Sequence, residues 1–119
     1  MDDMYREYIL DLYRNPLNKG KLNHYTHQKQ GFNPNCGDDI RLYLDIQDKI
    51  IVGVSFEGNG CALCIAGASI TTEKLKGLSI TEISTISAEQ LYQWLGINME
   101  NTRIKCVTLA LRTAQEMIV

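Results

Sequence analysis

Several features are scarce or absent in this chain, and each absence excludes a class of protein. No apolar run approaches the roughly 20 residues that a membrane-spanning helix needs. The start, Met1-Asp2-Asp3-Met4, is acidic and unlike the basic start of a secretory signal. The formal charge is −2, from 12 basic and 14 acidic residues with no basic block. We therefore expect a cytoplasmic protein whose partners include neither a membrane nor a nucleic acid.

Cysteine is also sparse, with 4 residues in a chain of 119. In a reducing compartment such cysteines are more often metal-binding or catalytic than disulfide-forming. Apolar residues make up 45% of the chain, enough to build a sizeable core. Length and composition predict one domain over residues 1–119.

Apolar periodicity predicts an early hairpin. Apolar residues at helical spacing predict an N-terminal helix that ends at Arg14-Asn15-Pro16. Residues 17–32 are polar and predict an extended connection with a short edge strand. Apolar and polar residues then alternate over 39–46 and 50–56, with Gln47-Asp48-Lys49 as the turn between two strands.

Helical signals dominate the rest of the chain. Small and apolar residues after Cys61 predict a central helix that ends before Gly77, and short helices are expected after Ser79 and Ser87. Residues 102–118 predict one longer closing helix. Strands grouped early and helices grouped late indicate an α+β fold: a small antiparallel sheet of about three strands packed against C-terminal helices, with an N-terminal helix.

Three cysteines and one aspartate lie where a metal site is expected. Cys36 and Asp38 fall in a Pro- and Gly-containing turn before the hairpin, and Cys61 follows Gly-Asn-Gly at the start of the central helix. The hairpin brings its two ends together, and Cys106 is the fourth candidate, delivered by the closing helix. Such soft donors suit zinc or iron, while a carboxylate exchanges more readily than a thiolate. We expect an exposed, labile site.

These motifs also resemble a known family. Asn-Pro-x-Cys-Gly-Asp at 33–38, Gly-x-Gly-Cys at 58–61 and Arg-Ile-Lys-Cys at 103–106 resemble the U-type iron–sulfur cluster assembly proteins (the NifU N-terminal domain, IscU and SufU). The resemblance covers nearly the whole chain and implies an α+β scaffold fold. By position, the cofactor- and metal-binding residues of the family correspond to Cys36, Asp38, Cys61 and Cys106.

The resemblance also implies a function and partners. A cysteine desulfurase would supply sulfur as persulfide, with Cys106 as the candidate acceptor. A transient [2Fe-2S] cluster would be assembled and passed to apo iron–sulfur acceptor proteins, and a homodimer sharing a cluster stays open. The alternative is a zinc-dependent sulfurtransferase of the SufU kind, in which Zn²⁺ occupies the same residues. Under the scaffold hypothesis the protein is not an enzyme, whereas under the SufU-like hypothesis it is a sulfurtransferase.

Two departures from the family pattern bear on that choice. IscU-type scaffolds carry a His before the last Cys and a Leu-Pro-Pro-Val-Lys chaperone-binding segment ahead of it, whereas this chain has Lys105 and the segment 99–103. Arg-Ile-Lys-Cys resembles SufU proteins instead, yet the stretch between Cys61 and Cys106 is too short for their insertion. Because the chain lacks that insertion, we favour the scaffold function over that of a dedicated sulfur carrier.

Two further residues have open roles. Lys105 either stabilises a thiolate or persulfide next to it or is a solvated helix residue. Cys64, one turn after Cys61, is a substitute ligand, a second sulfur acceptor, a disulfide partner or a small buried residue, of which we favour the last. A thiol–disulfide role for Cys61-Ala62-Leu63-Cys64 lacks the βαβ context of thioredoxin-like motifs.

Overall fold

The sheet and its helices are defined in a computed structural model, which describes residues 3–34, 37–97 and 104–118. One helix precedes the three strands and the other described helices follow them, as the α+β prediction requires. The strands are β1 His27–Asn33, β2 Asp38–Gln47 and β3 Ile50–Asn59. The helices are α1 Asp3–Arg14, α2 Ala62–Leu75, α3 Ile80–Ile83, α4 Ala88–Leu95, α5 Ile104–Val107 and α6 Leu109–Met117.

The predicted hairpin is confirmed. β2 and β3 pair in antiparallel register, with Leu42 opposite Phe56. Asp48 and Lys49 both have positive φ, 52° and 66°, as a two-residue type I′ turn requires. Ile40 and Leu42 are fully buried, so alternate residues of β2 face the helices and form the floor of the core.

The edge strand β1 completes the sheet, whose order is β1-β2-β3. Its pairing with β2 sets Gly31 opposite Ile40 and Asn33 opposite Asp38. A Cβ at Gly31 would lie 2.0 Å from Oγ1 of Thr113, so α6 approaches the strand closely enough to require glycine there. The inward positions of β1 are thus filled by residues that are not apolar.

Helices α2 and α6 cover one face of the sheet, which confirms the predicted fold class. Residues at 64–72 and Leu75 of α2 are buried, so this helix lies inside the helical layer. A Cβ at Gly67 would lie 2.2 Å from the carbonyl oxygen of Val107, and α5 therefore packs directly on α2. That contact brings the turn that carries Cys106 to the helix that begins after Cys61.

The closing segment differs from the prediction of one helix over 102–118. Residues 98–103 lie outside the described ranges, and the helix is interrupted at Thr108, whose φ and ψ are −92° and 1°. The guanidinium of Arg112 donates to the carbonyl oxygen of Lys105 at 2.7 Å and to Oγ1 of Thr108 at 3.2 Å. These hydrogen bonds join the two halves, so α5 is a separate single turn held against α6.

A polar junction joins α1 to α2 and β3. Asn18, at a positive φ of 60°, donates from Nδ2 to Oγ1 of Thr72 at 3.1 Å and to Oε1 of Glu73 at 3.2 Å. The backbone N–H of Phe56 donates to the carbonyl of Asn18, and that of Gly20 to the carbonyl of Phe56. This short segment covers part of the outer edge of β3. Among the described helices, none has the length and apolar character to cross a membrane.

Candidate metal centre

Three of the four predicted ligands come together at one end of the sheet. One ligand atom each from Asp38, Cys61 and Cys106 lie within 4.8 Å of one another. They are carried by the start of β2, the residue before α2, and α5. The fourth predicted ligand, Cys36, lies outside the described residues, between a strand that ends at Asn33 and one that begins at Asp38.

Asp38 is the first residue of β2, and its side chain is completely buried. It is in phase with the inward-facing Ile40, so the strand directs the carboxylate towards the helices. Oδ1 accepts a hydrogen bond from the backbone N–H of Cys61 at 3.1 Å. Oδ2 is buried and has no hydrogen-bond partner among the described residues. A buried carboxylate oxygen without a donor is costly, and a cation beside it would remove that cost.

Cys61 is the N-cap of α2, with an extended backbone (φ −69°, ψ 170°) and a half-buried side chain. Its carbonyl accepts from the N–H of Ile65, and its own N–H is the one bound to Asp38. Cys61 therefore lies directly before the first turn of the helix, whose N–H groups have no partner within the helix. The prediction that this cysteine opens the central helix is confirmed.

Cys106 lies in α5 and is 1% exposed. The side-chain amide of Asn33, at the end of β1, donates from Nδ2 to its Sγ across 3.7 Å. Asn33 is itself buried. The sulfur of Cys106 therefore lies between the end of β1 and the helical layer. Its donor, Asn33, is 73 positions away in the sequence.

Cys64 is buried in the first turn of α2, next to the site. A Cβ at Gly60 would lie 2.7 Å from its Sγ and 3.0 Å from Oδ1 of Asp38. Thiol and carboxylate thus flank the same glycine, and only a residue without a side chain fits between them. Cys64 is not one of the three residues whose ligand atoms converge, which agrees with its interpretation as a small buried residue.

Lys105 is exposed, and its backbone carbonyl rather than its ammonium has a described partner, Arg112. Stabilisation of a thiolate or persulfide by the Lys105 ammonium stays a prediction. Arg103, in the same motif, lies outside the described residues.

The expectation of an exposed site was wrong for two ligands. Asp38 and Cys106 are almost fully buried, whereas Cys61 is half-buried. The reason is the register of the sheet, because Asp38 belongs to the strand rather than to the preceding turn and occupies an inward position. The carboxylate is consequently oriented by backbone structure before any metal arrives.

Sequence reasoning missed two residues that shape the site, Asn33 and Gly60. Asn33 was interpreted as part of a turn, although it lies two residues after Gly31 and shares its inward face. Gly60 is only part of the Gly-Asn-Gly that precedes Cys61 in the sequence pattern, but the structure requires a glycine there because Cys64 and Asp38 lie so close. Neither contact has a sequence signal, since each depends on how separate elements pack.

The donor set fits zinc or an iron-containing group. Thiolates are soft ligands typical of zinc and iron–sulfur sites, and a carboxylate adds one harder oxygen. Asp38, Cys61 and Cys106 supply two sulfurs and one oxygen, and the unpartnered Oδ2 is the atom that most clearly fits a cation. This chemistry accepts either metal, because zinc binds such sites at least as readily as iron does.

Comparison with known proteins places these residues in a family. The NifU-like N terminal domain matches residues 4–119. The zinc-dependent sulfurtransferase SufU of Bacillus subtilis is 33% identical over 133 aligned residues, covering 98% of this chain and 90% of that protein. The iron–sulfur cluster assembly scaffold protein IscU of Thermotoga maritima is 37% identical over 106 residues, covering 89% and 75%.

Solved structures share the fold. FiSufU from Fervidobacterium islandicum AW-1 superposes with a TM-score of 0.81 at 23% identity and covers 100% of both chains. The N-terminal part of a NifU-like protein from Brucella abortus has a TM-score of 0.81 at 18% identity, covering 98% of this chain and 93% of its own. Together with the match over residues 4–119, these relatives show that the chain belongs to the family of the NifU-like N-terminal domain.

Proposed function

We propose that this protein is an iron–sulfur cluster assembly scaffold. It receives sulfur from a cysteine desulfurase together with iron, builds a transient [2Fe-2S] cluster on Cys36, Asp38, Cys61 and Cys106, and transfers it to apo-proteins. The observation that carries the proposal is the convergence of three ligand atoms within 4.8 Å, one of them from a carboxylate whose other oxygen has no described partner. The IscU and SufU relatives support the same class of function.

Each ligand has a distinct part in this proposal. A thiolate, for which we propose Cys106, attacks the terminal sulfur of the desulfurase persulfide. The sulfur–sulfur bond of the donor breaks, and the donor cysteine leaves as a thiolate. An external thiol reductant then supplies the two electrons that cleave this new persulfide, which releases its outer sulfur as sulfide and leaves Cys106 as a thiolate. The cysteines hold iron and that sulfide, while Asp38 supplies the hard, exchangeable ligand that permits release. A cluster held by three cysteine sulfurs and one carboxylate oxygen is bound firmly enough to assemble and weakly enough to be transferred.

The alignments favour the scaffold over a dedicated sulfur carrier. The alignment with the Thermotoga scaffold is no longer than the part of this chain that it covers, so that relative has no long insertion there. The alignment with the Bacillus sulfurtransferase is longer than this whole chain, so that relative has residues that this chain lacks. An insertion that this chain lacks would account for such a difference in alignment length.

A second candidate is zinc-dependent sulfur transfer. It is favoured by the coverage of the Bacillus relative, which matches 98% of this chain. Zinc would be held by the same ligands, and a thiolate that leaves the metal would take the persulfide sulfur. Lys105 would then stabilise the persulfide anion as a neighbouring cation.

Anaerobic reconstitution separates the two candidates. The protein is incubated with ferrous iron, free cysteine, a thiol reductant and a cysteine desulfurase, and visible absorption, iron and acid-labile sulfide are measured. The scaffold predicts sulfide-to-iron charge-transfer bands with equal iron and sulfide, absent in Cys61→Ser. Retained zinc, no colour and a faster desulfurase contradict it and support sulfur transfer. Zinc in the isolated protein decides nothing, because zinc lies above iron in the divalent affinity order.

The desulfurase and the apo-acceptors are the partners that this proposal requires. We also propose that residues 1–119 act as one scaffold domain. A homodimer that shares a cluster stays a prediction, and sedimentation of the reconstituted and the metal-free protein measures it: a mass that doubles only with the cluster present is the expected result.

A further inference from the structure

Asn33 contacts several parts of the site. It is the last residue of β1, is 5% exposed, and lies opposite Asp38 in the register of the sheet. Its backbone carbonyl accepts a hydrogen bond from the N–H of Gly37 at 2.9 Å. Its backbone therefore joins the two sides of the connection between β1 and β2, while its side chain makes a separate contact.

The side chain of Asn33 contacts the sulfur of Cys106. Nδ2 donates to Sγ across 3.7 Å, and both residues are buried. A buried amide that lacks partners is costly, so an inward position of a strand is normally given to an apolar residue. An asparagine there makes physical sense when its amide has a specific partner, and the described partner is a metal-ligand sulfur.

We infer that Asn33 is a positioning residue for Cys106. Its amide orients the sulfur towards Asp38 and Cys61, and it keeps its hydrogen bond when the sulfur binds a metal. This inference rests on the proposed site and deepens it by adding a residue outside the ligand set. Groups that hydrogen-bond to metal ligands orient them, and hydrogen bonds to cluster sulfurs change their electronic properties.

A structural role alone makes a different prediction. If Asn33 only joins the two sides of the connection between β1 and β2, its backbone carbonyl is sufficient, and any side chain that folds leaves the metal site unchanged. If the amide holds the sulfur, its loss changes both affinity and the electronic spectrum of a metal–thiolate bond. Affinity by itself does not separate these cases, whereas the energy of the charge-transfer band does.

Cobalt(II) is a suitable probe, because it binds zinc-type sites and its thiolate charge-transfer bands report on each sulfur ligand. Asn33→Leu removes the donor at similar size, and Asn33→Ala removes it by truncation should leucine prevent folding. Asn33→Gln keeps an amide at a longer reach. Thr113→Ala is the control, since it disturbs the packing of α6 on β1 at Gly31 without a described contact to a ligand.

We expect Asn33→Leu and Asn33→Ala to weaken cobalt binding roughly 10- to 100-fold, as is typical for such partners of metal ligands. Their charge-transfer band should move to lower energy with its intensity retained, because the thiolates remain but one has lost a donor. Asn33→Gln should recover part of both effects, and Thr113→Ala should match the parent. Folded donor-free variants with the parent's affinity and band energy would overturn the inference.

The outcome is separable from that of the proposed function. If the parent binds cobalt through thiolates but assembles no cluster, the scaffold proposal fails while the role of Asn33 stands on its own spectra. If clusters form equally well on parent and variants and the cobalt spectra agree, Asn33 has no such role and the scaffold proposal stands. A parent without cobalt–thiolate bands would contradict both.

Discussion

The backbone N–H of Cys61 donates a hydrogen bond to Oδ1 of Asp38 at 3.1 Å, so one proposed ligand orients another. Oδ2, the second carboxylate oxygen, is buried without a described hydrogen-bond partner. One oxygen is thus used for structure and the other is available to a metal. A carboxylate held in this way would bind a metal through a single oxygen, as the proposed exchangeable ligand requires.

Replacing this carboxylate should trap the cargo. In Asp38→Ala we expect a reconstituted cluster that persists longer and transfers more slowly than in the parent, because the exchangeable ligand is missing. Transfer to an apo-ferredoxin, followed by circular dichroism, measures the rate. Asp39→Ala is the matched control, as Asp39 is partly exposed on the other face of β2, where it accepts from Gln30 at 2.6 Å. Faster loss of the cluster from Asp38→Ala would show that the labile-ligand idea is wrong.

The same substitution also removes a hydrogen-bond acceptor, and a comparison with Asp38→Asn isolates that loss because both variants lack the buried charge. Asp38→Ala leaves the N–H of Cys61 without its acceptor, and an unsatisfied buried donor costs about 1–3 kcal/mol. Asp38→Asn retains an oxygen acceptor and should recover most of that loss in the metal-free protein. Urea unfolding of the metal-free variants measures the difference. Equal unfolding free energies for both variants would contradict the hydrogen bond's contribution.

A methyl group at position 60 should disturb the site from behind. In Gly60→Ala the new Cβ would lie 2.7 Å from Sγ of Cys64, so a neighbour must move, and such overpacking typically costs about 1–3 kcal/mol. We expect lower stability and weaker zinc binding, with part of both recovered by adding Cys64→Ala. Gly53→Ala is the control, because its Cβ would meet only ordinary contacts of 3.4 Å and longer. Parent-like zinc affinity in Gly60→Ala would contradict the close packing.

Arg112 should hold the turn that carries Cys106. Arg112→Met keeps much of the aliphatic stem but loses the hydrogen bonds to the carbonyl of Lys105 and to Thr108. At about 0.5–1.5 kcal/mol for a typical hydrogen bond, we expect a modest fall in stability and faster amide exchange in α5. Lys105→Met is the control, since it removes an exposed cation and leaves the backbone carbonyl in place. Equal amide exchange in α5 of the parent, Arg112→Met and Lys105→Met would show that Arg112 does not hold this turn.

The polar junction after α1 should give stability a pH dependence. A hydrogen bond from Lys76, 2.8 Å away, and a second from Asn18 hold the pKa of Glu73 below its ordinary value of 4.5. Because the ionised form is favoured in the native state, this contribution is complete above pH 4.5 and is lost as the pH falls through the lower native pKa. Glu73 is half-exposed, so the effect is small. Unfolding free energies of the parent and Glu73→Gln should converge in acid, and a constant difference would contradict this.

Local sequence patterns account for most of the fold. The hairpin follows from alternating apolar residues and its turn, and α2 follows from small apolar residues that end before Gly77. β1 was harder to predict, because its inward positions include Gly31 and Asn33 and so show no apolar alternation. The interruption at Thr108 was not predictable, since it depends on tertiary contacts: Val107 against Gly67, and Arg112 with Lys105.

The candidate site was predicted in its residue types more than in its geometry. Motif spacing indicated the ligands, and three of them converge. The burial of Asp38 was predictable, because Asp38 precedes Ile40 by two residues and so shares the inward face of Ile40 and Leu42. The contact between Asn33 and Cys106 was not, since it joins residues that are far apart in the chain and lie on elements that meet only in the folded protein.

Direct transfer is the property that most clearly defines a scaffold. The reconstituted protein is mixed with an apo-ferredoxin in the presence of an excess of an iron chelator, and the circular dichroism of the ferredoxin cluster is followed over time. Our account predicts that the acceptor gains its cluster at the same rate with and without the chelator, because the cluster passes between the proteins without dissociating. If the chelator takes the iron and the acceptor stays colourless, the cluster is not delivered by this protein, and the scaffold function is wrong.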